Sequence, residues 1–115
     1  LARDLKTKLG LDRIKVAGRT DLGVQTVALC TGSGSSMLDL FIHSGAQVYI
    51  SGDLRYHDAR TVEAYDLGLI DVGHFSSEHL MVEALTRQLD AGLKEKKYDV
   101  SVSACRIELD PFVLI

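Results

Sequence analysis

An α/β fold, with a mostly parallel sheet and helices between its strands, is predicted by how apolar patterns alternate along the chain. From Val24 onward, short apolar runs and stretches of helical spacing follow one another in turn, the order expected of parallel strands with right-handed crossovers. The runs over 24–30 and 48–50 are nearly continuous rather than alternating, which suits strands covered on both faces. Glycine and polar residues follow three strand candidates in succession, at Gly32, Gly52 and Gly73. In such sheets ligands collect beyond the carboxyl ends of the strands.

Each element has its own local reason. Over 1–9, Leu1, Ala2, Leu5 and Leu9 share one helical face, and Gly10 is placed to close the helix. Residues 14–17 predict a short strand, 18–23 a turn, and 24–30 a second strand. The small-residue run Thr31-Gly32-Ser33-Gly34-Ser35-Ser36 predicts a loop. Ser36 is placed to cap a helix whose apolar side holds Met37, Leu38, Phe41 and Ile42, with Gly45 ending it. Residues 47–51 predict the next strand, broken by Gly52-Asp53. Asp58 is placed to cap a helix over 59–67 ended by Gly68, and 69–72 predict a strand ended by Gly73. Ser76 or Ser77 is placed to cap a long helix through Leu80, Val82, Leu85, Leu89 and Leu93. Lys94, Lys96 and Lys97 suit the negative end of that helix. Val100, Val102 and Ala104 alternate and predict a last strand over 99–105, extended toward 109 and stopped by Pro111.

The chain has 115 residues, and one α/β domain over 1–115 is expected. It begins with Leu1, from which we expect a piece of a longer protein. Hydrophobic residues make up 46% and charged residues 25%, a composition that excludes a disordered or collagen-like chain. The net charge of −3 lacks the basic footprint of a nucleic-acid binder, so no nucleic-acid partner is expected. No apolar run approaches the ~20 residues of a membrane helix, and no membrane partner is expected. Cys30 and Cys105 lie apart in apolar stretches, without metal or disulfide spacing; buried, reduced thiols in a cytoplasmic protein are the expectation.

Candidate chemistry concentrates at the glycine-marked strand ends. The Gly32–Gly34 turn before a helix could cradle an anion, but it lacks the third glycine of a dinucleotide loop, the lysine of a triphosphate loop and the GxSxG nucleophile pattern. Gly32, Ser33 and Gly34 are therefore read as lining a cleft, or simply as small residues that let a strand turn into a helix. His74 and Glu78 stand four apart at a helix start, a spacing that lets an imidazole and a carboxylate face one way toward a metal. Taken alone, such a pair usually means surface charge; its place after a glycine-ended strand strengthens the metal reading. His57 could be a third ligand, a proton shuttle or a phosphate contact, against the plainer reading of an exposed loop histidine. Asp53 and Asp71 are carboxylates that could hold a ligating histidine in place. His/carboxylate ligation suits zinc, manganese or iron alike.

The runs Val27-Ala28-Leu29-Cys30-Thr31-Gly32-Ser33-Gly34-Ser35, Tyr49-Ile50-Ser51-Gly52-Asp53-Leu54-Arg55-Tyr56-His57-Asp58-Ala59 and Gly73-His74-Phe75-Ser76-Ser77-Glu78 occur in order, before a closing Asp110-Pro111-Phe112. This combination resembles the C-terminal portion of the Nif-three-like family (NGG-one interacting factor three), also labelled GTP cyclohydrolase I type 2 homologues. The resemblance implies an α/β protein with a dinuclear metal site in a cleft, assembled as a ring-like homo-oligomer, a hexamer in full-length members. It maps a His and a Glu ligand onto His74 and Glu78. It draws the remaining ligands from an N-terminal His-His pair and an Asp, which this sequence does not contain as a set. The implied activity is metal-assisted hydrolysis at an electrophilic carbon or phosphorus of an unidentified small molecule, with His57, Asp53 and the Gly32–Gly34 turn lining the cleft and this piece alone inactive. The competing expectation is a non-catalytic oligomerisation or partner-binding module.

Overall fold

A computed structural model describes residues 1–113. They form two compact units, residues 1–77 and the stretch from Glu78 onward.

The first unit is built on a four-stranded sheet of β1 (Lys15–Gly18), β2 (Val27–Ser33), β3 (Val48–Gly52) and β4 (Gly68–Asp71), ordered β1-β4-β3-β2. β2, β3 and β4 are parallel, and β1 runs antiparallel to β4. Helices α1 (Ala2–Lys8), α2 (Leu38–Ile42) and α3 (Tyr56–Ala64) complete it, with a 3-10 turn at Ser35–Met37 ahead of α2.

The near-continuous run over 48–50 has the expected two-sided cover, whereas the run over 24–30 does not, because β2 is an edge strand with Val27 and Leu29 exposed. All residues of β3 and β4 are buried, and successive side chains serve two separate cores. Tyr49 and Leu69 join Leu38, Phe41, Ala46 and Val62, the side of α2 and α3. Val48, Ile50, Ile70 and Val72 form the other core, against Ala2, Leu5 and Leu9 of the α1 segment and Ile14 and Leu22. Phe41 stacks on Tyr49 with centroids 5.1 Å apart.

Several boundaries differ from expectation. β2 starts later and continues through Thr31, Gly32 and Ser33, because Ser33 pairs with Gly52 beyond a register break after Leu29. The predicted loop is therefore half strand. α3 starts at Tyr56, which puts Asp58 in its first turn rather than at its cap. The predicted long helix is two, α4 (His74–Glu78) and α5 (Leu80–Glu95), with Ser77 inside the first.

In the second unit, α5 has no buried residue. The predicted strand over 99–105 is absent: those residues carry no regular structure. Alternation survives only as partial burial of Val102 and Ala104. A strand needs a partner's backbone, and the described residues offer this segment none. Arg106 instead binds Glu83 of α5 through its guanidinium (2.6 Å). Both cysteines are free, but neither is fully buried as expected: Cys30 is half-buried and Cys105 exposed, on a segment without a strand partner to cover it. No helix among the described residues is long and apolar enough to cross a membrane.

Candidate functional site

Parallel pairing brings the carboxyl ends of β2, β3 and β4 to one edge of the sheet. There two glycines let the chain pack closely, Gly34 against side chains and Gly52 against backbone. A Cβ on Gly34 would lie 2.0 Å from Ser51 Oγ and 2.5 Å from the Tyr49 hydroxyl. A Cβ on Gly52 would lie 2.5 Å from both the Gly73 carbonyl carbon and the His74 amide nitrogen. Glycine at these two positions is thus a condition of the loops meeting. The Gly34 N–H donates to Gly52 O (3.2 Å), and the Tyr49 hydroxyl donates to Gly34 O (2.9 Å). Burial pushes the Tyr49 phenol up to about 12, so it remains a donor throughout the neutral range.

Two side chains fasten the loop that follows β4. Ser77 Oγ accepts from the Gly32 N–H (2.8 Å) and donates to His74 O (2.8 Å), so one buried hydroxyl ties β2 to the first turn of α4. The buried Asp71 carboxylate accepts from Gly73 N–H (2.9 Å), from Leu54 N–H (3.4 Å) and from the Lys15 ammonium (2.9 Å). Asp71 therefore holds the loop carrying Asp53 and the loop carrying His74, with a cation from the antiparallel strand as its counter-charge.

His74 opens α4 on this frame. Its Nδ1 lies 2.6 Å from Asp53 Oδ2. A carboxylate accepts and cannot donate, so the shared proton sits on Nδ1, which donates to Asp53. Asp53 takes a left-handed backbone conformation, φ 52°. That conformation costs a non-glycine residue about 1 kcal/mol, less for Asp than for most. His74 and Asp53 are about half exposed, so their hydrogen bond adds little to stability. Its consequence is orientation.

The other candidates fall around this centre. His57 lies in the first turn of α3, exposed, its ring edge-on to Tyr56 at 5.7 Å. Ser33 is exposed, whereas Gly32 and Gly34 are buried with their N–H groups committed to Ser77 and Gly52. Those amides cannot also cradle a phosphate, and α2 behind them is only five residues long. Asp58 accepts from the Arg55 backbone N–H (2.8 Å), from the Arg55 guanidinium and from Ser35 Oγ. Burial pushes its carboxyl up, but hydrogen bonds from Ser35 and Arg55 outweigh this and hold it below the usual carboxylate value.

The comparison with protein families is decisive for kinship. The family model Duf34/NIF3 (NGG1p interacting factor 3) matches residues 1–111. The chain belongs to the Duf34/NIF3 family. A GTP cyclohydrolase 1 type 2 homolog of Staphylococcus aureus (strain MSSA476) is 32% identical over 114 residues, which is 99% of this chain and 31% of that protein. A protein of the same name in Bacillus subtilis (strain 168) is 31% identical over 96% of this chain and 30% of its own. The crystal structure of Staphylococcus aureus protein SA1388 superposes with a TM-score of 0.90 at 31% identity, covering 99% of this chain and 32% of that one. The chain thus spans about a third of the length of the curated relatives it matches.

The divalent metal implied by the resemblance fits the NIF3 chain in part. Ligating histidines characteristically donate their second ring N–H to a carboxylate, the arrangement that Asp53 gives His74. Glu78, a hard oxygen donor, closes the helical turn that His74 opens. Among the described residues, however, no three His, Cys, Asp or Glu side chains group as a complete metal site.

Ser77 was expected as a helix cap, and its real partner, Gly32, lies 45 positions away, where no local pattern points. Lys15 likewise gave no signal, because only the antiparallel register opposite Asp71 makes it relevant.

Proposed function

We propose that this chain contributes part of a divalent-metal centre to a metal-dependent hydrolase. His74 is a ligand through Nε2, and Glu78 is a second donor by its spacing. The rest of the ligand set comes from chain outside these residues. The observation that carries this reading is the Asp53–His74 hydrogen bond on a strand-end frame in which Ser77 holds the His74 carbonyl and Asp71 the preceding Gly73 N–H. A bound divalent metal supplies Lewis acidity and lowers the pKa of a coordinated water toward neutrality. This chain's residues orient and fix: Asp53 holds the His74 ring, Ser77 fixes the turn beneath it, and Asp71 sets the loops. His57, Asp53 and Ser33 face the substrate, a small molecule with an electrophilic carbon or phosphorus. Zinc, manganese and iron all suit these donors. The reading places the protein in the cytoplasm, where free cysteines such as Cys30 and Cys105 persist.

Adding manganese to the labelled chain tests it, because paramagnetic broadening reports even weak sites. Broadening centred on Gly73, His74 and Glu78, and lost in His74→Ala, is the expected result. Broadening elsewhere, or unchanged by His74→Ala, overturns it.

A second reading, an oligomerisation module that builds a ring such as a hexamer, is favoured by exposed apolar side chains, Leu29 at 66% and Leu40 at 69% among them. Assembly that persists in chelator, without turnover when metal is restored, would support it.

A further inference from the structure

We infer that Lys15 is a positioning residue for the strand-end site: through the buried Asp71 carboxylate, its charge holds the loop carrying Asp53 against the loop carrying His74. That this edge is the functional site rests on the reading above; the contacts themselves do not. The ladder between β3 and β4 ends at Ser51 and Asp71, so the loops beyond it need other ties. Gly52, packed on the Gly73–His74 peptide, sets how closely they can approach, which is a repulsive limit. Asp71 supplies attraction. Its Oδ1 accepts from Gly73 N–H (2.9 Å), and its Oδ2 accepts from the N–H of Leu54, the residue after Asp53 (3.4 Å).

The same Oδ2 accepts from the Lys15 ammonium at 2.9 Å. Lys15 stands directly opposite Asp71 in the antiparallel register, on the edge strand β1. The two ends of this ion pair have different surroundings: the Lys15 side chain is 80% exposed and that of Asp71 3%. Water can stand in for the carboxylate at the lysine, but little water reaches the carboxylate to stand in for the lysine. Without the cation, Asp71 is a buried charge with two N–H donors, and it regains solvation by turning outward. The Leu54 bond is the longer of the two and breaks first. Because the lysine stem is exposed, its charge rather than its packing is what acts.

Amide hydrogen exchange of the labelled, metal-free chain reads the two loops residue by residue. Lys15→Met removes the charge and keeps an apolar stem, whereas Lys15→Arg keeps the charge. Lys15→Met should speed exchange at Leu54 and Gly73 by roughly 10-fold relative to Ile70, which lies in the core of β4. Lys15→Arg should restore wild-type exchange at both. In wild type, about 1 M sodium chloride should act in the same direction as Lys15→Met, and it should add nothing in that variant. Unchanged exchange at Leu54 in Lys15→Met overturns the inference. Equal acceleration at Ile70 also overturns it, because the pair would then be a general stabiliser. A Lys15→Arg that behaves as Lys15→Met overturns it as well. None of these readouts involves a metal, so failure here leaves the manganese test above standing, and failure of that test leaves these results standing.

Discussion

Replacing Gly52 by alanine tests whether the strand-end frame is as tight as its geometry requires. The new methyl would sit 2.5 Å from the Gly73 carbonyl carbon and the His74 amide nitrogen, and 2.7 Å from Gly73 O. Ordinary contact begins at 3.4 Å, so the two loops must separate by about 0.9 Å. All three obstructing atoms are backbone, with no flexible side-chain end to swing aside. Overpacking of this kind costs about 1–3 kcal/mol. The displacement also pulls on the Gly34 N–H···O Gly52 bond, worth about 1 kcal/mol net. Together these predict a loss of about 2–4 kcal/mol, or a fall in melting temperature on the order of 10 °C for a chain of this size. Circular dichroism melts read the loss, and the His74 imidazole signals read the accompanying break from Asp53. A melting temperature within about 2 °C of wild type would refute the close-approach argument.

Gly92 offers the opposite case: it lies inside α5 with nothing within 4 Å of an added Cβ, so Gly92→Ala should raise stability by about 0.5–1 kcal/mol in denaturant titrations. Asp58 predicts a pH signature. Its folded pKa is held below the unfolded value of 3.8, so its stabilisation is present above that value and lost as pH falls through the folded pKa. Asp58→Asn should therefore be less stable than wild type by about 2 kcal/mol at neutral pH, and urea midpoints measured at falling pH should converge below 3.8. Parallel curves would contradict the assignment.

Apolar periodicity made most of the sheet legible from sequence. Val48, Tyr49, Ile50, Leu69 and Ile70 announce two-sided burial because each strand side chain must choose a face, and here both faces are apolar. Helix boundaries were less legible. Asp58 and Ser77 have the chemistry of caps, and Asp58 does cap α3, but from its third position in a capping box with Arg55 while also accepting from Ser35; the Ser77 hydroxyl is taken by Gly32. The strand expected over 99–105 shows the limit of alternation, which specifies a face but supplies no neighbour. Near the strand ends, the sequence nominated Asp53 from its place after a strand-ending glycine, and the structure brings it to His74. The contacts of Asp71 with Lys15 and Leu54 were not legible, because they depend on the antiparallel register of β1 and the parallel register of β3 against β4.

The meeting of Gly34, Gly52 and their neighbours also bears on how such a site can change over time. Where Gly52 meets the Gly73–His74 peptide its floor is backbone, so there is no side chain at that contact to exchange for a slightly larger or smaller one. Drift there is close to all or none. The rim, by contrast, is made of exposed side chains such as Ser33, Asp53 and His57, which can be swapped without lifting the floor. A library that randomises the rim and leaves the glycines fixed should therefore return many folded variants with altered ligand preference, whereas one that randomises the glycines should return few folded variants at all.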